Sequence, residues 1–194
     1  TSDTARSTNI EYIDGILCMS DDKSKRYLGT IRTTSASRFE DSFTRRFVYN
    51  QYNQKPRLLR ALPQDGWSYT TAAWIVYQTD DNDVKCFYVT GTPSTRVRAT
   101  VFGAASSSSN NIPFAVGIGV DTADFGTTTN SAQLIGGATQ AASSTATRAT
   151  GHYDGYPGLG YHQLSYVVYG GTNISFIGVT GTRSAVGMLI ELVD

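Results

Sequence analysis

The residues best able to do chemistry are concentrated in one short segment. Both histidines of the chain lie in residues 151–162, together with one aspartate and three tyrosines. Imidazole and carboxylate groups that converge can bind a metal ion, whereas aromatic rings on a loop can contact a sugar. The glycines and the proline of the segment are equally typical of a turn that leads into a strand, where these side chains would serve packing. The candidates are His152, Tyr153, Tyr156, Tyr161 and His162.

Two tryptophans, Trp67 and Trp74, could line a patch for a sugar or for another protein. Both lie in strand-like sequence, where large aromatic residues also fill the core, so both interpretations stay open. Together with the five residues above they form the predicted ligand-binding or interface residues. No bound metal and no cofactor are expected.

Enzymatic chemistry has little support. The chain has no Gly-x-Ser-x-Gly motif, and Cys18 lies in an apolar run that disfavours a reactive thiolate. The three glutamates lack the paired arrangement that glycoside hydrolysis requires. Cys18 and Cys86 have no zinc-type spacing and are expected to be buried free thiols, although a disulfide between them stays open. We therefore predict a protein that is not an enzyme.

Charge and hydropathy exclude two classes of partner. The 194 residues include 16 Lys and Arg and 16 Asp and Glu, whereas a nucleic-acid-binding protein usually has a basic excess. Since no apolar run reaches about 18 residues, no membrane-spanning helix is expected. Residues 1–60 contain eleven basic and seven acidic residues, and the remainder has the opposite bias. Oppositely charged faces could therefore attract neighbouring copies of the chain.

The composition and patterns predict a mainly β protein, because Thr, Tyr, Val and Phe are frequent and Glu and Lys are scarce. Residues 10–13 and 16–19 flank Asp14-Gly15, which favours a hairpin with a type I′ turn. Other strand-like segments are 26–34, 67–78, 84–90, 96–104, 114–120, 161–169, 174–179 and 185–193, with weaker candidates at 133–135 and 145–150. About ten short strands predict an antiparallel β-sandwich or jelly roll, formed by one domain over residues 1–194 with 1–9 as a polar lead-in.

One short helix is expected at about residues 37–52. Ser37 and Glu40 have the spacing of a capping box. A stripe of aromatic residues follows at helix-like intervals, at Phe39, Phe43 and Phe47. Such a helix would pack its aromatic face against a sheet.

An ordered set of motifs resembles a group of tailed-phage virion proteins. Residues 27–34 read YLGTIRTT, residues 46–53 read RFVYNQYN, and residues 67–74 read WSYTTAAW. Weaker matches follow at 115–119 and 155–162, so the resemblance covers about residues 4–170. Tyr49 stands where the pattern has tryptophan. The resemblance implies a tail, fibre or head-surface protein, and it implies no catalytic residues.

The sequence therefore predicts a non-enzymatic structural component of a bacteriophage virion, as a head decoration, fibre or tail-associated module. It would assemble in the host cytoplasm and lie on the particle surface, in contact with itself and with other virion proteins. A homotrimer is favoured by analogy with trimeric jelly-roll modules, and the chain is expected to be the ordered part of a longer virion protein. The alternative is an adhesin-like module that binds a host-surface glycan or another receptor through the aromatic loop at 152–162.

Overall fold

The computed structural model describes residues 9–35, 38–69, 72–79, 82–109, 112–121, 136–139, 146–171, 173–179 and 186–193. In these ranges the chain forms twenty-one strands and no helix. The strands are β1 Ile10–Ile13, β2 Ile16–Met19, β3 Asp22–Arg26, β4 Gly29–Ile31, β5 Thr33–Ser35, β6 Arg38–Phe39, β7 Arg45–Arg46, β8 Val48–Asn50, β9 Arg57–Ala61, β10 Trp67–Tyr69, β11 Trp74–Val76, β12 Gln78–Thr79, β13 Asn82–Asp83, β14 Lys85–Thr90, β15 Arg96–Ser107, β16 Pro113–Val120, β17 Gly136–Thr139, β18 Thr147–Gly155, β19 Gly160–Gly170, β20 Ile174–Phe176 and β21 Gly187–Val193. A helix able to cross a membrane is absent from the described part of the chain.

Two six-stranded sheets form the body of the molecule. Sheet 1 has the order β10-β20-β15-β21-β9. β18 pairs with the edge of β15 that lies opposite to the edge paired with β20 and β21. Sheet 2 has the order β17-β16-β19-β14-β7, and β11 pairs with the end of β19 beyond β14. All described pairs are antiparallel except β7 with β14. The predicted mainly β sandwich is confirmed.

The core lies between the two sheets because alternate side chains of their long central strands point inward. In β15 the inward residues are Val97, Ala99 and Val101, and in β19 they are Leu164, Tyr166 and Val168. This period of two is that of a strand with one buried face. Cys18 and Cys86 are free, buried thiols.

The hairpin predicted at Asp14-Gly15 is confirmed. β1 and β2 pair in antiparallel register, with Ile13 opposite Ile16. Asp14 has a φ of 49° and Gly15 a φ of 79°, so both turn residues have the positive φ that a type I′ turn requires.

The helix predicted at 37–52 is wrong for residues 38–52, and Ser37 lies outside the described residues. β6, β7 and β8 occupy this segment instead. The aromatic stripe does not form one face, because Phe39 and Phe43 are exposed whereas Phe47 is buried. Burial instead alternates, with Phe47 and Tyr49 both buried, as in a strand.

The backbone of this segment finds its partners elsewhere in the fold. β8 pairs with β4, and β7 pairs with β14, so tertiary pairing overrides the local helical pattern. Glu40 does not form a capping box. Its carboxylate accepts hydrogen bonds from the Ser42 hydroxyl at 2.8 Å and from Arg45 NH1 at 2.8 Å.

The other strand predictions are confirmed with different boundaries. The segment predicted at 26–34 divides into parts of β3, β4 and β5, and the one at 67–78 into β10, β11 and β12. The weak candidate at 145–150 is the beginning of β18. The weak candidate at 133–135 and most of the lead-in at 1–9 lie outside the described residues.

Candidate functional site

Six of the seven predicted site residues are divided between the two sheets, and Tyr156 lies on the loop between β18 and β19. His152 and Tyr153 lie on β18 of sheet 1, whereas Tyr161 and His162 lie on β19 of sheet 2. Trp67 begins β10 and Trp74 begins β11. The structure therefore does not bring the two histidines together as one metal-binding pair.

His162 is buried and bridges two parts of the chain. Its Nδ1 lies 2.7 Å from Oδ2 of Asp121, and its Nε2 lies 3.2 Å from the carbonyl oxygen of Gly158. Asp121 follows β16 with a φ of 54°, and its Oδ1 accepts a hydrogen bond from the backbone N–H of Gln163 at 2.8 Å. Both ring nitrogens of His162 therefore face hydrogen-bond acceptors.

A second side chain holds the same loop, which connects β18 to β19. The Thr90 hydroxyl donates to the Gly158 carbonyl at 2.6 Å and accepts from the Gly160 N–H at 2.9 Å. Gly158 and Gly160 have φ values of 102° and 127°, a region that favours glycine. Tyr156 projects from this loop with 63% of its surface exposed.

Two buried tyrosines, Tyr88 and Tyr153, lie close to the pair formed by His162 and Asp121. The Tyr88 ring centroid is 5.5 Å from that of His162, and among the described residues its buried hydroxyl has no hydrogen-bond partner. Burial, with a smaller contribution from Asp121, raises the pKa of Tyr88 and of Tyr153 above the usual tyrosine value. Both phenols therefore stay protonated and contribute mainly to packing at this end of the core.

The geometry of His162 fits a structural brace better than a catalytic base. A base that activates a nucleophile must leave one nitrogen facing a hydroxyl or thiol, and here a carboxylate and a carbonyl occupy both positions. Within the described ranges, no three His, Cys, Asp or Glu side chains are close enough to hold a metal ion.

Three of the remaining predicted residues are held by other aromatic rings. Tyr161 stacks on Phe87 with centroids 6.1 Å apart, and the Arg32 guanidinium carbon lies 3.7 Å from the Tyr161 centroid. The Trp67 ring stacks on Phe176 at the margin of the core, and Trp74 lies 5.7 Å from Tyr169. All three rings therefore serve packing.

Of the seven, His152 and Tyr156 are the two exposed residues. His152 lies on the outer side of sheet 1, where its Nδ1 is 3.1 Å from the Thr100 hydroxyl. Tyr156 lies on the loop described above.

The outer side of sheet 1 presents a second candidate, which we call the sheet 1 face. It consists of the outward side chains of β9, β15, β18 and β21, namely Leu58, Arg60, Arg98, Thr100, Phe102, His152, Asp154, Leu189 and Glu191. One row across the strands is Asp154, Arg98, Glu191 and Leu58. The next row is His152, Thr100, Leu189 and Arg60.

This face exposes apolar side chains. Leu58 is 58% exposed, Leu189 is 50% exposed and Phe102 is 37% exposed. Apolar residues that cluster on the surface of a folded protein mark a binding or assembly surface more often than single ones do.

An open groove of about 580 Å³ crosses the sheet 1 face. Phe43 forms one wall, because its carbonyl accepts a hydrogen bond from the Arg60 N–H at 2.7 Å beside β9. The Arg60 guanidinium carbon lies 4.4 Å from the Phe43 ring centroid. Arg98 lines the groove on β15, and Thr100 and Leu189 line its middle.

The charges of the sheet 1 face are balanced in sign. Arg98 lies between two carboxylates, 3.7 Å from Asp154 and 3.9 Å from Glu191. Arg96, at the start of β15, makes two hydrogen bonds of 2.6 Å to Asp154, and these hold the pKa of Asp154 below its usual value. The face therefore presents both signs within one row of side chains.

Sequence inspection did not single out Leu58 or Leu189, although a signal for both exists. Leu189 alternates with the buried Met188 and Ile190 and has the same phase as Glu191. Leu58 likewise has the same phase as Arg60. In a strand an apolar residue in phase with a charged one points to solvent, but the unbroken apolar run at 188–190 hides this phase.

No protein-family model matches the chain, and no curated protein sequence matches it. The sheet 1 face, the braced loop and the motif resemblance are therefore the basis for a functional proposal.

Proposed function

We propose that this protein is a non-enzymatic structural component of a bacteriophage virion, which lies on the particle surface and assembles with copies of itself and with other virion proteins. The observation that carries the proposal is the sheet 1 face. Leu58, Phe102 and Leu189 are exposed there beside charges of both signs. The core of the sandwich, in contrast, consists of buried apolar residues. Such a patch is typical of a surface that another protein covers.

Two sequence properties support the same function. The ordered motifs of residues 27–34, 46–53 and 67–74 resemble those of tailed-phage virion proteins. The formal net charge of zero also leaves no overall repulsion between copies. A rigid β-sandwich suits a head decoration, a fibre or a tail-associated module.

The chemistry of the histidine segment also favours a structural role. His162 is buried and holds a loop, and Tyr161 stacks on Phe87 and contacts the Arg32 guanidinium through its ring. These residues are engaged in keeping the fold in place, so a non-enzymatic function is the simplest account of them.

The proposal is tested on intact particles. Phage particles are purified from a host lysate, labelled with gold-conjugated antibodies against the chain, and digested for mass spectrometry. We expect a regular array of label on the particle surface and peptides of the chain at a fixed ratio to the major capsid protein. Particles that carry neither label nor peptides would refute the virion role.

A receptor- or glycan-binding module is the second candidate, and the exposure of Tyr156 favours it. Thr90 and His162 hold the Tyr156 loop in place. The loop would therefore lose little conformational entropy when the Tyr156 ring contacts a sugar. A glycan array with the native chain, Tyr156→Ala and the control Tyr12→Ala tests this function. Tyr12 is as exposed as Tyr156 but lies on β1, so binding lost in both variants, or in neither, would contradict a site at the loop.

A further inference from the structure

We propose that two copies of this chain pack face to face through the sheet 1 face, about a two-fold axis that runs along the strands between β15 and β21. This rests on the proposed function only in requiring self-association. It adds the surface, the symmetry and the residues that meet.

The order of charges across the four strands favours this axis. The rotation reverses the strand order, so that β15 faces β21 of the second copy and β18 faces β9. Arg98 of each copy then faces Glu191 of the other, while Asp154 faces Leu58 and His152 faces Arg60. An axis centred on β15 would instead place Arg98 opposite itself, and like charges that face each other across an interface are unfavourable.

One apolar side chain of each copy, Leu189, lies beside the axis. Thr100 and Leu189 form the centre of the second row, so each Leu189 would pack against Thr100 of the other copy. The exposed side chains of Leu58 and Phe102 lie farther out on the same face. The groove of about 580 Å³ beside Phe43 has room for side chains that project from the second copy. Packed sheets lie roughly 10 Å apart, a separation that interlocking side chains of this size fill.

The area of the face is below that of a standard interface but above the roughly 500 Å² per partner that a biological interface needs. Four strands spaced about 4.8 Å apart cover roughly 19 Å, and the stretch of β15 from Arg96 to Ala104 covers about 30 Å. The flat area is therefore roughly 570 Å², before the relief of the side chains and the loop around Phe43 enlarge it, against about 800 Å² per partner in a standard interface.

Charge variants test whether the pairing occurs between copies. Arg98→Glu and Glu191→Arg are each examined by sedimentation velocity and mass photometry of the full chain over a range of concentrations. Each variant alone places like charges opposite each other in the dimer, so we expect its dissociation constant to rise by about tenfold or more. An equimolar mixture restores the opposite pairs only between copies, and we expect it to form heterodimers with nearly native affinity.

The mixture distinguishes a charge contact between two copies from a disturbance within one copy. Arg98 also lies near Glu191 in the same chain, so each substitution disturbs its own copy as well. Mixing cannot repair that disturbance, because the altered residues stay in separate chains. Recovery on mixing therefore reports a contact across the interface.

A hydrophobic variant gives a second readout. Leu189→Lys places a charge at the centre of the proposed contact and should yield a monomer with an unchanged circular dichroism spectrum. The matched control is Leu28→Lys, because Leu28 is also exposed but precedes β4, away from the sheet 1 face. The control should keep the native mass.

The outcomes separate this inference from the virion role. Any of four results would overturn the two-fold contact. They are an absence of recovery in the mixture, a dimer or trimer that Leu189→Lys leaves intact, a native chain that stays monomeric, and a sheet 1 face that binds a different virion protein. The antibody labelling of particles still decides the virion role in all of these cases.

Discussion

The brace formed by His162 leads to a prediction about stability. His162→Phe keeps a ring of similar size but removes the contacts with Asp121 and with the Gly158 carbonyl. The Tyr156 loop then depends on Thr90 alone among the contacts described above. We expect the variant to fold, with a lower free energy of unfolding and a looser loop.

The magnitude follows from the two contacts. A hydrogen bond to a charged group contributes about 1.5–3 kcal/mol and a neutral one about 0.5–1.5 kcal/mol. Because the Asp121 side chain is 44% exposed, water compensates for part of the loss and the lower ends of both ranges apply. The expected loss is therefore about 2 kcal/mol, which lowers the melting temperature by roughly 4–8 °C in a domain of this size.

Urea denaturation measures the global effect, and amide hydrogen exchange of residues 155–160, followed by mass spectrometry, measures the local one. The control is His152→Phe, since His152 is exposed and its Nδ1 contacts only the Thr100 hydroxyl among the bonds described here. The control should change the free energy of unfolding by less than about 0.5 kcal/mol, as surface substitutions usually do. Equal losses of unfolding free energy in the two variants, or unchanged hydrogen exchange at residues 155–160, would show that the brace contributes nothing.

Three further predictions concern packing and titration. A Cβ added at Gly91 would fall on the Tyr49 ring, so Gly91→Ala should lower the free energy of unfolding by about 1–3 kcal/mol in urea; an unchanged midpoint would contradict the packing described. Arg45 holds the pKa of Glu40 below its usual value, so Glu40→Gln should cost about 0.2–1 kcal/mol near neutral pH. Because that contribution is lost as the pH falls through the lowered pKa, the native chain and the variant should converge in acid below that pKa, and a constant difference would refute the pairing. Burial raises the pKa of Cys86 to about 12, so Ellman's reagent at mildly alkaline pH should label Cys86 only after unfolding, as peptide mapping of the labelled chain can show.

The local features of the fold were readable from the sequence because they depend on neighbouring residues. The turn at Asp14-Gly15 needs only two residues that tolerate positive φ. The alternation in β15 likewise reflects one buried and one exposed face. Both follow from short-range geometry, which the order of residues records directly.

The features set by distant residues were not readable in this way. The aromatic spacing at 39–47 coincides with a helical period, but β7 and β8 find partners on β14 and β4. A pattern of residue types cannot reveal such a partner. The predicted helix therefore failed where nonlocal backbone pairing decided the structure.

The candidate site shows the same limit. His162 was singled out as a residue able to do chemistry, but its partner Asp121 lies 41 positions away and is aligned by the pairing of β16 with β19. The sequence also could not separate the two histidines, because their burial depends on which sheet each strand joins. Only the phase of Leu58 and Leu189 relative to charged neighbours offered a local clue to the sheet 1 face.

The position of β15 has a consequence during protein synthesis. One edge of β15 pairs with β21, which the ribosome translates about 90 residues later. Until β21 emerges, this edge of β15 is an open template for other strands. The row that contains both Arg98 and Glu191 is likewise incomplete until then, so a nascent chain cannot yet present the finished surface to another copy. In the proposed dimer, association would therefore wait until translation has passed β21, so that each chain is completed before it meets another copy.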